Sequence, residues 1–370
     1  MELVIERDSF IKSLGKMQGI VEKRNAMPIL SNTLLKAEDG QLEILATDLE
    51  VTIVDKCPVD LHEPGAITLN ARKLYDIVRE LPEGPIHLKS GEDFRMEVKS
   101  GKIRFELMGI SADDYPKTPK SEDFKFIKTS AAQLQEMIQK TIYAAAGEDA
   151  RFSLHGIYTE KTEDGKALRM VATDGHRLAL IEREIEKVKD LELAAGVIMP
   201  RKGMAEALRL LTEEEGEVSI AIKEKMAALS YNDTVIFMKL VDGKFPDYRK
   251  VIIEGCDKTV AVNKEELIRN LRRVSIMVDD KARAVKFSFS PKNLSLESRN
   301  PNFGSSYSEL EIDYDGEKLV TAFNDRYFID IMNVSKSDQL QFEMKDDQSP
   351  IIVKIQDDQR YTCVIMPMRI

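Results

Sequence analysis

The 370-residue chain has no tryptophan, only three cysteines and only four histidines. The cysteines Cys57, Cys256 and Cys363 lie far apart, which argues against a disulfide framework and a zinc site, and the histidines show no metal-ligand spacing with them. No apolar run approaches the roughly 18 residues of a membrane-spanning helix. The first residues lack the basic and then apolar pattern of a signal peptide. We therefore expect a cytoplasmic protein that uses no metal and is not in a membrane.

Common catalytic and nucleotide-binding motifs are also missing. No two glycines are separated by a single residue, which excludes a dinucleotide-binding fingerprint. No glycine stands five residues before a Gly-Lys pair, so the sequence has no phosphate-binding loop. There is no Gly-x-Ser-x-Gly nucleophile motif either. The sequence predicts no cofactor.

What the chain does contain is a threefold repeat with a period of about 125 residues. Residues 42–48 (LEILATD) match residues 168–174 (LRMVATD), and residues 294–300 (LSLESRN) keep the apolar positions in phase. Solenoid repeats are much shorter, roughly 20 to 50 residues. Each repeat is therefore predicted to be a small domain.

Each repeat has the pattern of two helices and two sets of short strands. In the first repeat, Phe10, Leu14 and Met17 fall at helical spacing in an opening helix, and Leu74 and Val78 do so in a second one. Alternating segments separated by turn residues follow each helix. We predict an α+β fold of three two-helix, two-sheet domains, with boundaries at 1–120, 121–249 and 250–370.

The net charge of −10 argues against a nucleic-acid partner only if the charge is spread evenly. It is not: the opening helix of the third repeat carries Arg269, Arg272 and Arg273, and the second-type helices begin with basic residues, while acidic residues concentrate in turns. A basic face on an acidic molecule is therefore possible. Ordinary solvated helix surfaces would give a similar pattern.

The best candidate for catalysis is the segment 173–177 (TDGHR), where an aspartate and a histidine could act as acid and base. The first repeat has Thr47-Asp48-Leu49-Glu50 at this place, without a histidine. This comparison favours turn chemistry, in which the aspartate accepts backbone amides.

Several longer motifs carry a family resemblance. Residues 171–179 (VATDGHRLA), 199–203 (MPRKG), 239–249 (KLVDGKFPDYR) and 364–369 (VIMPMR) resemble the bacterial sliding clamp family, the beta subunits of DNA polymerase III. In the first repeat, 27–30 (MPIL), 46–50 (ATDLE) and 62–66 (HEPGA) agree as well. The resemblance covers the whole chain in order.

The resemblance implies a DNA-clamp fold and a head-to-tail homodimer that closes a six-domain ring around duplex DNA. Helices would line the hole, and the DNA would be held without sequence preference. The function implied is that of a non-catalytic processivity factor that tethers the replicative polymerase catalytic subunit. The clamp loader, repair proteins and other proteins with a clamp-binding motif are the further partners implied.

The resemblance also implies three sets of site residues. Those near DNA are Arg24, Arg201 and Lys202, to which repeat equivalence adds Arg72 and Lys73. Those of the dimer interface are Arg104, Phe105, Ile276 and Met277. Those of a partner-peptide cleft are Leu154, Thr173, Gly175, His176, Arg177, Leu178, Pro246, Val251, Val364, Met366, Pro367 and Met368, with Pro350 as a looser candidate. Two alternatives remain at this point: an enzyme with its active site around His176, and a protein scaffold that never meets DNA.

Overall fold

A computed structural model describes residues 1–21, 27–147, 151–212, 216–279 and 282–369. Within these ranges it has two α-helices for each repeat. They are α1 (Arg7–Met17), α2 (Ala71–Glu80), α3 (Ala131–Ile142), α4 (Arg201–Leu210), α5 (Lys264–Val274) and α6 (Asp325–Val334).

The strands of each repeat lie before, between and after its two helices, and the first repeat has one strand more than the other two. Those of the first repeat are β1 (Glu2–Glu6), β2 (Asn32–Glu38), β3 (Gln41–Thr47), β4 (Val51–Pro58), β5 (Asp60–Glu63), β6 (Gly65–Asn70), β7 (Pro85–Ser90), β8 (Arg95–Ser100) and β9 (Ile103–Met108). Those of the second are β10 (Ile127–Ser130), β11 (Gly156–Lys161), β12 (Ala167–Thr173), β13 (Arg177–Glu184), β14 (Val197–Pro200), β15 (Glu217–Lys223), β16 (Met226–Tyr231) and β17 (Thr234–Lys239). Those of the third are β18 (Lys258–Asn263), β19 (Ala284–Ser290), β20 (Asn293–Asn300), β21 (Gly304–Glu311), β22 (Leu319–Asn324), β23 (Gln339–Met344), β24 (Ile351–Ile355) and β25 (Asp358–Ile365).

The predicted helices are confirmed, and asparagine side chains cap the starts of α2, α5 and α6. The Asn70 side chain accepts the backbone amide of Lys73 at 3.0 Å, and that of Asn263 accepts the amide of Glu266 at 3.0 Å. An asparagine at this position satisfies an amide that has no partner within the helix, which stabilises the helix by about 1 kcal/mol. The α+β fold with two helices in each repeat is confirmed.

The chain folds as two compact units. The first comprises Met1–Gln135, Lys189–Leu193 and Lys202–Leu240, and the second comprises Glu136–Val188, Ala194–Arg201 and Val241–Ile370. The central repeat is thus divided between them, because each half of it shares a sheet with a different neighbour.

The first unit contains two antiparallel sheets. One has the strand order β5-β1-β7-β8-β9, and the other has the order β10-β15-β16-β17-β4-β3-β2-β6. Helix α1 packs against α2 and β4 and buries Phe10, Leu14 and Met17 completely. Burial of a side chain of this size contributes about 1.5–3 kcal/mol, so these residues anchor the helices to the sheets.

The second unit is built in the same way. One sheet has the order β14-β11-β12-β13-β25-β24-β23-β18, and the other has the order β21-β20-β19-β22. Helix α5 packs against β20, β21 and α6. A cluster of aromatic rings, Phe287, Phe289, Phe323 and Phe328, lies in the core beneath the helices.

Each eight-stranded sheet contains strands of two repeats. The repeats meet at a joint, where the outermost strand of one repeat pairs with the outermost strand of the other. In the first unit β17 pairs with β4, so that Val235 lies opposite Val54. In the second unit β25 pairs with β13, so that Thr362 lies opposite Leu180. We refer to these pairings as the first and the second joint.

Both joints are reinforced by a lysine from an opening helix. At the first joint, Lys16 donates to Asp55 at 2.8 Å and to Thr234 at 2.9 Å. At the second joint, Lys140 contacts Glu136 and Asp358, each at 2.7 Å. Because these contacts are shielded from water, they are worth more than surface ion pairs.

The second joint has an additional cation. Arg183 bonds both Glu136 and Asp358, at 2.8 Å and 2.6 Å in its closest contacts. Although burial opposes the charged form of both carboxyls, the hydrogen bonds from Arg183 and Lys140 hold their pKa values below the ordinary range. The result is a four-residue ion network across the joint.

Candidate partner cleft, chain interface and nucleic-acid face

Residues 173–177 form a tight turn between β12 and β13. Asp174 Oδ1 accepts the backbone amides of His176 at 2.9 Å and of Arg177 at 3.0 Å, and Thr173 Oγ1 accepts that of Gly175 at 3.1 Å. The prediction of turn chemistry is confirmed, because Asp174 bonds the backbone of His176 rather than its imidazole. This arrangement gives no support to an acid–base pair.

The equivalent turn in the first repeat uses the same bonds. Asp48 Oδ1 accepts the amides of Glu50 at 2.9 Å and of Val51 at 2.7 Å. Gly175 has a φ of +91°, and Leu49 in the equivalent place has a φ of +77°. A glycine adopts this region without strain, whereas a leucine does not.

A cavity of about 670 Å³ opens beside the turn 173–177. Hydrophobic side chains form much of its wall, and polar ones surround them. The lining residues are Arg151, Leu154, Thr173, Asp174, Gly175, His176, Arg177, Leu178, Pro246, Asp247, Tyr248, Val251, Val364 and Met366. This size and mixture are typical of ligand pockets.

The structure brings together ten of the twelve residues predicted for the partner cleft, all but Pro367 and Met368. The backbone amide of Met368 donates to Ala322 at 2.7 Å, so the chain leaves the cavity towards β22. Pro350 does not line the cavity either.

Four lining residues were not predicted: Arg151, Asp174, Asp247 and Tyr248. Three of them, all but Arg151, stand inside the motifs at 171–179 and 239–249, so the signal for them was present in the sequence.

Tyr248 has its hydroxyl fixed by a charged pair behind the cavity. It donates to Glu160 at 2.5 Å and accepts from Arg169 at 2.9 Å. Burial and the bond to the Glu160 carboxylate raise the pKa of Tyr248 above its ordinary value. Burial also opposes the charged form of Glu160, but the bonds from Tyr248 and Arg169 lower the pKa of this carboxyl. The ring of Tyr248 is therefore held in place and stays neutral.

Arg177 faces inward and is only 13% exposed. Its Nε donates to Asp174 at 3.0 Å, its Nη1 to Asp330 at 2.5 Å and its Nη2 to the carbonyl of Tyr143 at 2.5 Å. Burial opposes its charge, yet the bond to Asp330 and the nearby carboxylates raise the pKa of Arg177. The resemblance places Arg177 in the partner cleft, and there all three of its guanidinium nitrogens are engaged by the protein itself.

The predicted DNA-contact residues lie at helix starts, except Arg24, which lies outside the described residues. Arg72 and Lys73 are exposed in the first turn of α2, and Arg201 is exposed at the start of α4. Lys202 is half-buried and bonds Asp48 at 2.5 Å.

One of the predicted equivalences is wrong by one residue. We paired Arg72 and Lys73 with Arg201 and Lys202. The helices begin at Ala71 and Arg201, so that Arg72 corresponds to Lys202, and Lys73 to Gly203.

The predicted interface residues lie on two surfaces that expose apolar groups. Phe105 in β9 is 38% exposed, and Ile276 after α5 is 77% exposed. Met277 is half-buried, and Arg104 forms an ion pair with Glu97 in the neighbouring strand. Large exposed apolar side chains of this kind often mark a contact with another protein.

Two absences hold for the part of the chain that the structure describes. Its His, Cys, Asp and Glu side chains form no group of three or more that could hold a metal ion. None of its helices is long and apolar enough to cross a membrane. The three cysteines are unbridged, and burial raises the pKa of Cys57 and of Cys363 to about 11.

Three repeats, each with two helices and joined to the next through a continuous sheet, define a DNA-clamp fold. Sequence models of the DNA polymerase III beta subunit match the chain throughout: the N-terminal domain at residues 1–119, the central domain at 128–247 and the C-terminal domain at 249–369. The chain belongs to the DNA polymerase III beta subunit family.

Individual relatives agree over their full length. The beta sliding clamp of Caulobacter vibrioides is 36% identical, with all of both chains covered. The crystal structure of the Pseudomonas aeruginosa subunit superposes with a TM-score of 0.93 at 35% identity, again over both whole chains. A Bartonella birtlesii sliding clamp bound to griselimycin superposes with a TM-score of 0.95 at 37% identity and the same coverage. The protein is accordingly a DNA polymerase sliding clamp, a processivity factor and not an enzyme.

Proposed function

We propose that two copies of this chain join head to tail into a closed ring around duplex DNA, and that the cleft beside residues 173–177 tethers the polymerase. The observation that carries this proposal is a third set of joint strands without a partner. In the described part of the chain, β9 and β21 each pair on one side only. Strand β9 is the counterpart of β17 and β25, which end the second and third repeats. Strand β21 is the counterpart of β4 and β13.

The equivalence of the joint strands follows from the strands beside them. Leu45, Val171 and Glu297 are equivalent in the repeat, and they pair with Val54, Leu180 and Tyr307. The other strand of each joint is aligned by its own neighbour, β8, β16 or β24. The next-to-last residue of that neighbour (Lys99, Ser230 or Lys354) pairs with Arg104 in β9, Val235 in β17 or Thr362 in β25, respectively.

Both joints within the chain use the same register. Val54 lies opposite Val235, and Leu180 opposite Thr362. Applied to the third pair of strands, this register sets Tyr307 of one protomer opposite Arg104 of its partner. It also sets Ser305 opposite Glu106.

The side chains on the two edges suit this pairing. Extension of the register places Lys102 opposite Glu309, and opposite charges across a strand pair contribute about 0.2–1 kcal/mol. Both edges are exposed and carry charged residues beside their apolar ones, and charges on an edge strand discourage unspecific strand addition. A heterologous interface of this kind gives a ring if its rotation closes and a filament if it does not.

The DNA contacts would be to phosphates, made by Arg24, Arg72, Lys73, Arg201 and Lys202. The exposure of Arg72, Lys73 and Arg201 supports this. Contacts to phosphate carry no sequence information, so binding would be independent of sequence. We place this activity in the cytoplasm, and we retain 1–120, 121–249 and 250–370 as the three domains.

The cleft would bind a short extended segment of the polymerase catalytic subunit, and in turn of the clamp loader and other clamp-binding proteins. Its apolar wall offers pockets for a few apolar anchors, where binding energy is concentrated. Met366 is flexible enough to adapt to different partners.

An engineered disulfide tests the ring. The variant Glu106→Cys with Ser305→Cys places two thiols opposite each other in the proposed register, and Glu106→Cys with Tyr307→Cys shifts them by two residues. A disulfide needs Cα atoms within about 7 Å, so oxidation should give a covalent dimer in the first variant only, with the unmodified chain as the background.

Retention on DNA then tests the function. The dimer, loaded on nicked circular DNA in the reduced state and then oxidised, should resist high salt and be released when the circle is cut. Equal cross-linking in both variants would refute the register. Salt-resistant retention on linear DNA would refute encirclement.

A further inference from the structure

We propose that Arg177 is a positioning residue of the partner cleft, and that Asp330 on α6, which does not line the cleft, sets the affinity for peptide through it. This inference rests on the proposed function of the cleft. It assigns a determinant of partner affinity to a helix outside the binding surface.

Arg177 ties three elements together. Its contacts reach Asp174 in the turn, Asp330 on α6 and the carbonyl of Tyr143 after α3. Its guanidinium also lies 4.6 Å from the ring centre of Tyr327 on α6. The hydrogen bonds of the planar guanidinium and its stacking on Tyr327 fix its orientation. The guanidinium is therefore not available to a ligand.

The turn that Arg177 holds carries the cleft surface. Asp174 uses one oxygen for Arg177 and the other for the amides of His176 and Arg177. The carbonyl of His176 in turn accepts the amide of Met366 at 2.9 Å. A displacement of Arg177 would therefore move two lining residues, His176 and Met366.

Charge balance makes Asp330 the sensitive point. One guanidinium lies between two carboxylates, and the Asp174 carboxylate is already stabilised by backbone amides. Asp330 is about one third exposed and can be changed with little effect on the core. Without its charge, Arg177 keeps the bond to Asp174 and the stacking on Tyr327 but loses its ion pair with α6.

The first repeat uses the same device with the charges exchanged. There the turn supplies the carboxylate, Asp48, and the helix α4 supplies the cation, Lys202, at 2.5 Å. The position of Arg177 is taken by Val51. An ion pair between turn and helix is thus a shared feature of both turns, and at the second one it lies beside a cavity.

The test measures the binding of griselimycin, the ligand of the Bartonella birtlesii clamp, and of a polymerase peptide by calorimetry. Asp330→Asn should weaken both by about 5- to 50-fold, which lies within the usual range of a coupling between connected sites. The matched control is Glu184→Gln, which removes a carboxylate paired with Arg360 at 2.7 Å elsewhere in the same unit, and it should change neither.

A second variant and a second readout separate positioning from general destabilisation. Arg177→Lys keeps the charge but not the three-way geometry, and it should weaken binding as much as Asp330→Asn does. Amide hydrogen exchange at Met366 should accelerate in both variants while the melting temperature stays close to that of the parent.

Three outcomes would overturn the inference. Unchanged affinity in Asp330→Asn would show that α6 does not control the cleft, and tighter binding of an acidic peptide would show that Arg177 binds ligand directly. If His176→Ala with Met366→Ala also leaves affinity unchanged, the cleft lies elsewhere and the proposed function of this site fails with it.

Discussion

Lys202 and Arg201 stand side by side at the start of α4, yet we expect their removal to have different effects on DNA binding. Arg201 is exposed, whereas Lys202 bonds the Asp48 carboxylate, whose side chain is only 6% exposed. A cation that neutralises a phosphate contributes about −0.9 to the slope of log affinity against log salt concentration. Arg201→Ala should therefore flatten the slope by about 0.9.

Lys202→Ala should flatten the slope much less. To reach a phosphate, Lys202 must leave Asp48. The Asp48 carboxylate would then lose its ion pair and bind a counterion from solution. The net release of ions is then close to zero. The double variant should consequently lose about 1 in slope rather than the 2 that two free cations would give.

The cost of Lys202→Ala should instead appear in stability. Asp48 would keep its two amide donors but lose its ion pair. Because the lysine is one third exposed, we expect a loss of about 1 kcal/mol rather than the larger penalty of a fully buried pair.

The assay is DNA affinity by fluorescence anisotropy at four or more salt concentrations, together with the thermal melting of each variant. An equal change of slope in both single variants, with unchanged melting of Lys202→Ala, would refute the reasoning.

Three further outcomes are expected. Charging the exposed end of α5 by Ile276→Asp with Met277→Lys should give a folded monomer at micromolar concentration, and an unchanged dimer mass in sedimentation would count against the interface. Gly15→Ala should stabilise by about 0.5–1 kcal/mol because its Cβ would meet only ordinary contacts and the helix gains propensity. Gly156→Ala should destabilise, because its Cβ would collide with the backbone carbonyl of Met199. Equal melting temperatures of the two variants would contradict this contrast. Burial raises the pKa of Glu206. Its charge therefore lowers the free energy of unfolding above that pKa and has no effect below the pKa of the residue in the unfolded chain. Glu206→Gln should raise the melting temperature at pH 7, and this gain should vanish towards pH 4.

Local features of the fold could be predicted from the sequence because they depend on neighbouring residues. The spacing of Phe10, Leu14 and Met17 requires one buried helical face, and the caps at Asn70 and Asn263 need only the next turn of the helix. The turn at 173–177 was predictable for the same reason. The cleft residues came from the family resemblance and not from any pattern in the chain.

The joints could not be predicted, because they unite residues that are distant in sequence. Nothing near Val54 indicates that it pairs with Val235. The bond between Lys202 and Asp48 was equally hidden, and with it the difference between Lys202 and its exposed neighbour Arg201. Charge patterns show which residues are basic, but not which of them are already neutralised.

The two joints within the chain and the proposed joint between chains differ in chemistry, and the difference suits the proposed ring, which would have to open to admit DNA. The two joints within the chain are reinforced by sheltered ions, Lys16 with Asp55 and the network around Arg183. The edges proposed to form the joint between chains carry solvent-exposed charges, of which Arg104 is an example. Exposed pairs are individually weak and are screened by salt. Association between chains also depends on protein concentration, whereas the joints within a chain do not. The joint between chains should therefore separate first, while each chain keeps its own two joints intact.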